Sequence, residues 1–168
     1  ESGKSTLFKQ MISLYGKGYS EKERNTYKTI IYANTINAIQ ILIENSELLY
    51  NESKDNKYLI SDENKEYCDK LKDCTSDTIL DETIAECIEI LWKNDKGIEY
   101  TFENRAKYQF PDSGPYFFDR LHDIIKDDYI PTQQDVLRSR VRTTGIVETS
   151  FEIEGNQFRM FDVGGQRN

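Results

Sequence analysis

Glu1-Ser-Gly-Lys-Ser-Thr6 runs straight into Leu-Phe-Lys-Gln-Met-Ile-Ser-Leu-Tyr15, and this junction decides how the rest of the chain is read. Gly3-Lys4-Ser5-Thr6 is the second half of the pattern G-x-x-x-x-G-K-[ST], whose first Gly would fall before Glu1. In the complete pattern, backbone N–H groups at the start of a helix cradle phosphates. Lys4 then reaches the β- and γ-phosphates, and the Ser5 hydroxyl binds Mg²⁺. The tetrad by itself also fits a plain polar turn ahead of an amphipathic helix. The pattern predicts a helix over residues 5–15, broken by Gly16 and Gly18.

Outward from there the chain reads as helical for a long way. Ser20-Glu-Lys-Glu23 is a capping box. Tyr27, Ile30, Ile31, Ala38, Ile41, Leu42, Leu48 and Leu49 follow at near-helical spacing, predicting one helix to about Tyr50. Residues 51–58 are polar and read as a loop. Leu80, Ile84, Cys87, Ile88, Leu91 and Trp92 mark another helix, ending near Asn94 to Gly97, with Trp92 and Cys87 expected in the core. A short helix is expected over Phe102 to Tyr108. Pro111-Asp-Ser-Gly-Pro115 reads as a turn with Pro115 in a first helical turn. Phe117, Phe118, Leu121, Ile124 and Ile125 form a further apolar stripe, and Thr132 to Asp135 caps a last helical turn.

Beyond Arg138 the pattern changes. Val147 to Ile153 alternates apolar and polar residues, as a half-buried strand does. Glu154-Gly-Asn156 is a tight turn, and Gln157 to Val163 a second strand. A block of helices therefore lies between two pieces of something built on a sheet.

The 168 residues suit one domain, or one domain with parts of a second. With 37% hydrophobic residues, wholesale disorder is excluded. Acidic residues outnumber basic ones 30 to 22, a net charge of -8, which argues against a nucleic-acid binder. No apolar run approaches the roughly 18–20 residues that span a bilayer. Cys68, Cys74 and Cys87 form no CxxC pair, and with His122 the only histidine, zinc is not expected. An intracellular, reducing location is expected. His122, among Asp119, Arg120 and Asp123, reads as a surface residue. Asn51-Glu-Ser53 fits a glycosylation sequon that an intracellular protein would not use. The start within a motif and the loop-like close at Gly164 to Asn168 read as a fragment of a longer protein.

Two further segments carry chemistry. In Asp162-Val-Gly-Gly-Gln166, an Asp leaving a strand can hold Mg²⁺ through water. A Gly N–H can meet a γ-phosphate, and a Gln can orient an attacking water. An ordinary loop after a strand reads the same way. In Arg138-Ser-Arg-Val-Arg-Thr-Thr-Gly145, three arginines in five residues suit a polyanion, although a solvated basic linker fits this segment better when it is taken alone. The three segments supply different parts of one phosphoryl-transfer site: cradle, metal ligands, neutralising arginine and water-orienting glutamine.

The chain resembles the α subunits of heterotrimeric G proteins. The residues that carry the resemblance are Glu1 to Thr6 with Lys9-Gln-Met11, and Tyr129-Ile-Pro-Thr-Gln-Gln-Asp-Val-Leu-Arg138. Arg140, Thr143-Thr-Gly-Ile-Val-Glu-Thr149 and Phe161-Asp-Val-Gly-Gly-Gln-Arg167 complete it. Small Arf-like GTPases share the Asp-Val-Gly-Gly-Gln run but lack the long insertion before Arg140. Motifs within residues 50–110 are loose.

The resemblance implies an α/β P-loop GTPase (Ras-like) fragment carrying an inserted all-α helical domain, with one C-terminal β-hairpin. Residues 1–18 would be the phosphate loop and first helix, 19–137 the helical insertion, and 138–168 switch I, the hairpin and the start of switch II. It implies Ser5 and Thr143 as direct Mg²⁺ ligands, with Asp162 in the outer sphere. Arg140 would be a built-in arginine finger and Gln166 the water-orienting residue. Glu1 would pair with that arginine. Ser2, Gly3, Lys4 and Thr6 would bind phosphate, and Gly165 the γ-phosphate. Leu137 and Arg138 would touch the purine and ribose side, with Asp112 and Ser113 nearby. The implied ligands are GTP or GDP with Mg²⁺, and the implied activity is GTP hydrolysis in a receptor-driven signalling switch. The implied partners are a βγ dimer, a G-protein-coupled receptor, effectors and GTPase-accelerating regulators. Peripheral attachment at the cytoplasmic face of the plasma membrane would come through a lipidated N-terminus beyond this chain. The piece alone is expected to be inactive. A non-catalytic helical binding module is the alternative reading, and an ATP-using P-loop enzyme fails on the resemblance.

Overall fold

The computed structural model describes residues 18–140 and the backbone of residues 146–153 and 156–163. The helix expected over residues 5–15 lies outside the described residues. The chain divides into two compact units, one of residues 1–31 and 130–168, the other of residues 32–129. Within the first unit, Tyr19 and Arg24 hydrogen-bond to Pro131 and Gln133.

In the first unit, α1 (Glu21–Asn25) opens on Ser20, whose side chain accepts from the Glu23 N–H, while the Glu23 side chain accepts from the Ser20 N–H. The expected continuous helix is interrupted here. Asn25, Thr26 and Tyr27 are weak helix formers, and the backbone tightens into i→i+3 bonds. Thr26 N–H donates to Glu23 O (3.1 Å) and Tyr27 N–H to Arg24 O (2.9 Å), while the Thr26 hydroxyl also donates to Glu23 O. The helix resumes as α2 (Lys28–Ser53), 26 residues and about 39 Å long at about 1.5 Å per residue. It takes in residues 51–53 that the sequence assigned to a loop. A single 3-10 turn at Asn56–Tyr58 follows.

Residues 32–129 pack around α2. Ile36, Ala38, Ile39, Leu42 and Ile43 are buried along it, three and four residues apart. Gln40 interrupts this apolar run for a reason. Its amide donates to the carbonyls of Leu71 (2.8 Å) and Cys74 (3.1 Å), tying α2 to the end of α3 (Lys65–Lys72). No helix is expected at α3 from the sequence. Only Cys68 and Leu71 of its eight residues are buried, too few to make a periodic signal.

The next corner rests on one buried carboxylate. Asp95 ends α4 (Glu82–Asn94) and begins α5 (Lys96–Glu103). Its Oδ1 accepts from Ile98 N–H (3.0 Å); its Oδ2 accepts from Ser61 N–H (3.1 Å) and from the Asn64 side chain (2.8 Å). One side chain thus caps a helix and pins the 59–64 segment against it. The helix expected to end near Asn94 to Gly97 ends at Asn94, and Gly97 sits inside the next helix, α5. A Cβ there would lie 2.8 Å from the Ile60 nitrogen and closer still to the Leu59 carbonyl. The short helix expected over Phe102 to Tyr108 therefore starts earlier, at Lys96, leaving only a 3-10 turn at Arg105–Lys107.

Pro115 sits in the first turn of α6 (Gly114–Phe118), and α7 (Leu121–Ile124) follows; Phe117, Phe118, Leu121 and Ile124 are buried. Cys87 is buried and His122 exposed, both as expected. Trp92 is half-buried rather than in the core. It packs edge-on against Phe102 at 4.9 Å and tilted against Phe118 at 4.8 Å, and Phe102 in turn meets Phe110 at 5.6 Å. The three cysteines are free thiols. No helix among the described residues is long and apolar enough to cross a membrane.

The chain returns to the first unit through α8 (Gln133–Arg138), with Thr132 and Asp135 forming a second capping box. Strands β1 (Ile146–Ile153) and β2 (Asn156–Val163) pair antiparallel, Ile146 opposite Val163 and Ile153 opposite Asn156.

Candidate functional site

Five of the residues singled out from the sequence have described side chains. Three stand on or just after α8. The Thr132 hydroxyl accepts from Asp135 N–H (3.0 Å), and the Asp135 carboxylate accepts from Thr132 N–H (3.1 Å). This reciprocal cap fixes where the helix starts and so which residues face inward. Val136 is fully buried, Leu137 half-buried and Arg138 exposed. Ser139 turns extended (φ -70°, ψ 151°) and ends the helix. It is buried, and its hydroxyl donates to Val136 O at 2.7 Å. Anchoring Ser139 inward leaves both flanking arginines, Arg138 and Arg140, at the surface.

Asp112 and Ser113 lie in the second unit, in the turn before α6. Gly114 N–H donates to Pro111 O at 3.0 Å, closing that turn. Ser113 is buried, and its carbonyl accepts from Phe117 N–H at 3.1 Å. Asp112 is exposed beside it. A buried Pro111 and Ser113 hold an outward-facing carboxylate on a rigid turn.

Asp162 is placed by its backbone in β2, paired with Val147. Glu1, Ser2, Gly3, Lys4, Ser5, Thr6, Thr143, Gly165 and Gln166 lie outside the described residues. Among the described residues, no three His, Cys, Asp or Glu side chains cluster to hold a metal ion.

The sequence reading missed Gln133 and Arg24. The Gln133 amide accepts from Tyr19 N–H (3.1 Å) and donates to Tyr19 O (2.6 Å). Arg24 donates to Pro131 O (2.8 Å) and to Tyr19 O (2.9 Å). The one signal in the sequence was Gly18, read only as a helix breaker; it adopts φ +75°, and a Cβ there would meet Gln133 Oε1 at 3.3 Å.

A capped arginine-bearing turn, followed by a strand pair and preceded by a helical unit, defines a class that comparison with known proteins makes specific. The family model for the G-protein alpha subunit matches residues 1–168. The chain belongs to the G-protein alpha subunit family. It is 41% identical over 172 residues to a guanine nucleotide-binding protein subunit alpha of Sporothrix schenckii, covering all of this chain and 46% of that protein. It is 42% identical over 173 residues to the G-protein complex alpha subunit gpaA of Aspergillus fumigatus, with the same coverage. To the guanine nucleotide-binding protein alpha-2 subunit of Glycine max it is 41% identical over 178 residues, again covering 46%. The chain spans a little under half the length of these curated relatives.

Proposed function

We propose that the protein is a guanine-nucleotide switch that binds GTP with Mg²⁺ and hydrolyses it to GDP on a Ras-like P-loop GTPase fold. The observation that carries this is the unbroken family match over residues 1–168. In this reading Gly3 to Thr6, the Arg138–Thr143 segment and the Asp162–Gln166 segment are parts of one site. In this reading Glu1, Ser2, Gly3, Lys4, Ser5 and Thr6 hold the phosphates, and Leu137, Arg138, Asp112 and Ser113 surround the nucleoside. Arg140 is exposed, next to the inward-anchored Ser139. Arg140 neutralises charge that develops on the transferred phosphoryl group, Gly165 contacts the γ-phosphate, and Gln166 orients the attacking water.

The donor set Ser5, Thr143 and Asp162 is two hydroxyls and a carboxylate, hard oxygen ligands that suit Mg²⁺. Held by these residues, Mg²⁺ would supply neutralisation of the phosphate charge. Nucleotide-dependent ordering of the two switch segments would then be read by a βγ dimer, effectors, a receptor and GTPase-accelerating proteins at the cytoplasmic face of the plasma membrane.

The test is single-turnover GTP hydrolysis by the full natural chain with Mg²⁺. For Gα proteins as a class, a built-in arginine accompanies a rate of about 10⁻² s⁻¹, against roughly 3–5 × 10⁻⁴ s⁻¹ for intrinsic Ras, a ratio of about 20–30-fold. Arg140→Cys should therefore slow hydrolysis by at least about 20-fold, or ~2 kcal/mol of barrier, while GTP still binds. Gln166→Leu should nearly stop turnover. Hydrolysis unchanged in both variants would refute the assignment, and a parent chain with no hydrolysis would favour a non-catalytic helical module.

A further inference from the structure

We infer that Ser139 is a positioning residue for Arg140: its hydroxyl locks the end of α8, and with it the backbone that carries the guanidinium. Both residues lie in the first unit. The consequence for hydrolysis rests on the proposed function, in which Arg140 neutralises charge on the transferred phosphoryl group. The bonds made by Ser139 do not depend on it.

Helix α8 has six residues, too few to hold itself together in water. Its start is fixed by the reciprocal cap of Thr132 and Asp135, and its end by Ser139. The Ser139 N–H is shared between Asp135 O at 3.0 Å and Val136 O at 3.2 Å. The Ser139 hydroxyl adds a third bond, to Val136 O at 2.7 Å. One carbonyl therefore receives two donors from one residue. Neither partner has room to drift, since Val136 is fully buried and Ser139 is 4% exposed.

The two donors of Ser139 flank its N–Cα bond. A residue held by its N–H alone can still turn about that bond. Held by its N–H and its side-chain oxygen together, it cannot. Turning there would swing the Ser139 carbonyl, and Arg140 is attached to that carbonyl through one planar peptide. The hydroxyl thus fixes where the Arg140 backbone starts. Filling space does not require it: alanine would occupy the same buried position with no polar atom to satisfy.

The experiment is single-turnover GTP hydrolysis by the full natural chain with Mg²⁺. Ser139→Ala should slow it roughly fivefold, the worth of about one net hydrogen bond. The loss is bounded by what Arg140 itself supplies, about 20-fold. GTP affinity should stay within about twofold, because the ground state does not use the arginine. Ser139→Thr keeps the hydroxyl and should match the parent. Ser139→Val, the same shape with a methyl in place of the hydroxyl, should be slowed as the alanine variant is. In an Arg140→Cys background, Ser139→Ala should add nothing, since the group it positions is gone. A nitroxide on R140C, in a C74S background, should become more mobile when Ser139→Ala is added.

A slowing that persists in full in the Arg140→Cys background would overturn the inference, because Ser139 would then act on the structure at large. Unchanged hydrolysis with unchanged label mobility would overturn it too. If the parent does not hydrolyse GTP, or Arg140→Cys hydrolyses as the parent does, the functional reading fails, and the label still decides whether Ser139 holds residue 140. If Ser139→Ala does not fold, the threonine and valine variants carry the same comparison.

Discussion

Replacing Gly97 by alanine tests the packing of the α4–α5 corner. The added Cβ would stand 2.8 Å from the Ile60 nitrogen and nearer to the Leu59 carbonyl. Both obstacles are backbone, so no rotamer change relieves the clash. The 59–64 segment would have to withdraw by about 1 Å, and that segment is tied to Asp95 through Ser61 N–H and Asn64. Overpacking against a fixed neighbour costs about 1–3 kcal/mol. Stretching two hydrogen bonds to a buried carboxylate adds about 1–3 kcal/mol. Against this, alanine gains roughly 1 kcal/mol of helix propensity over glycine. The net is a loss of about 1–5 kcal/mol. For a unit of this size, each kcal/mol lowers the melting temperature by about 4–8 °C. Circular dichroism at 222 nm should therefore show a transition at least about 4 °C lower. Gly114→Ala is the internal comparison. Its closest obstacle, at 2.7 Å, is the tip of the Phe110 ring, which can turn aside, so it should lose less than half as much. A Gly97→Ala melt within about 2 °C of the parent would refute the reasoning, because the Leu59 backbone would then be free to move.

Two further outcomes follow from titratable groups. Burial raises all three thiols, Cys68 to about 11, and Cys68 and Cys87 are buried while Cys74 is partly exposed. A thiolate-seeking reagent at pH 8 should label Cys74 first and Cys68 and Cys87 only at the rate of unfolding; equal labelling of all three would contradict the packing. The hydrogen bond from Lys93, followed by the one with His122, holds the Glu89 carboxyl below its ordinary value. A lowered carboxylate contributes stability above its unfolded pKa and loses it as pH falls through the folded one. Glu89→Gln should therefore melt about 1–3 °C lower at pH 7, with the difference vanishing below about pH 4; a difference that persists at pH 3 would show that charge is not its cause.

The capped starts were legible because a cap is a local event. Ser20 with Glu23, and Thr132 with Asp135, satisfy each other within four residues, and both boxes are in the structure. The stripe from Phe117 to Ile124 was legible for a similar reason, since its spacing carries its own burial. What failed depends on distant partners. Nothing near Gly97 in sequence announces the Leu59 backbone beside it, and nothing near Asp95 its bonds to Ser61 and Asn64. The break at Thr26 hides in a hydrophobic period that continues across it. Of the candidate site, the sequence supplied Leu137, Arg138 and Arg140, and the Ser139 anchor explains the outward set of the two arginines. Gln133 and Arg24 escaped because an amide and a guanidinium that bond to backbone leave no residue pattern at the other end.

The helices of residues 32–129 are very unequal. Beside the 26-residue α2 stand segments of four, five and eight residues. Isolated helices below about 12–15 residues are marginal in water. So α3, α5, α6 and α7 are helical because neighbours offer them a surface, and all four pack against α4. Trimming the unit from either end would take away part of that shared packing, so its minimum autonomous length is close to the whole of it.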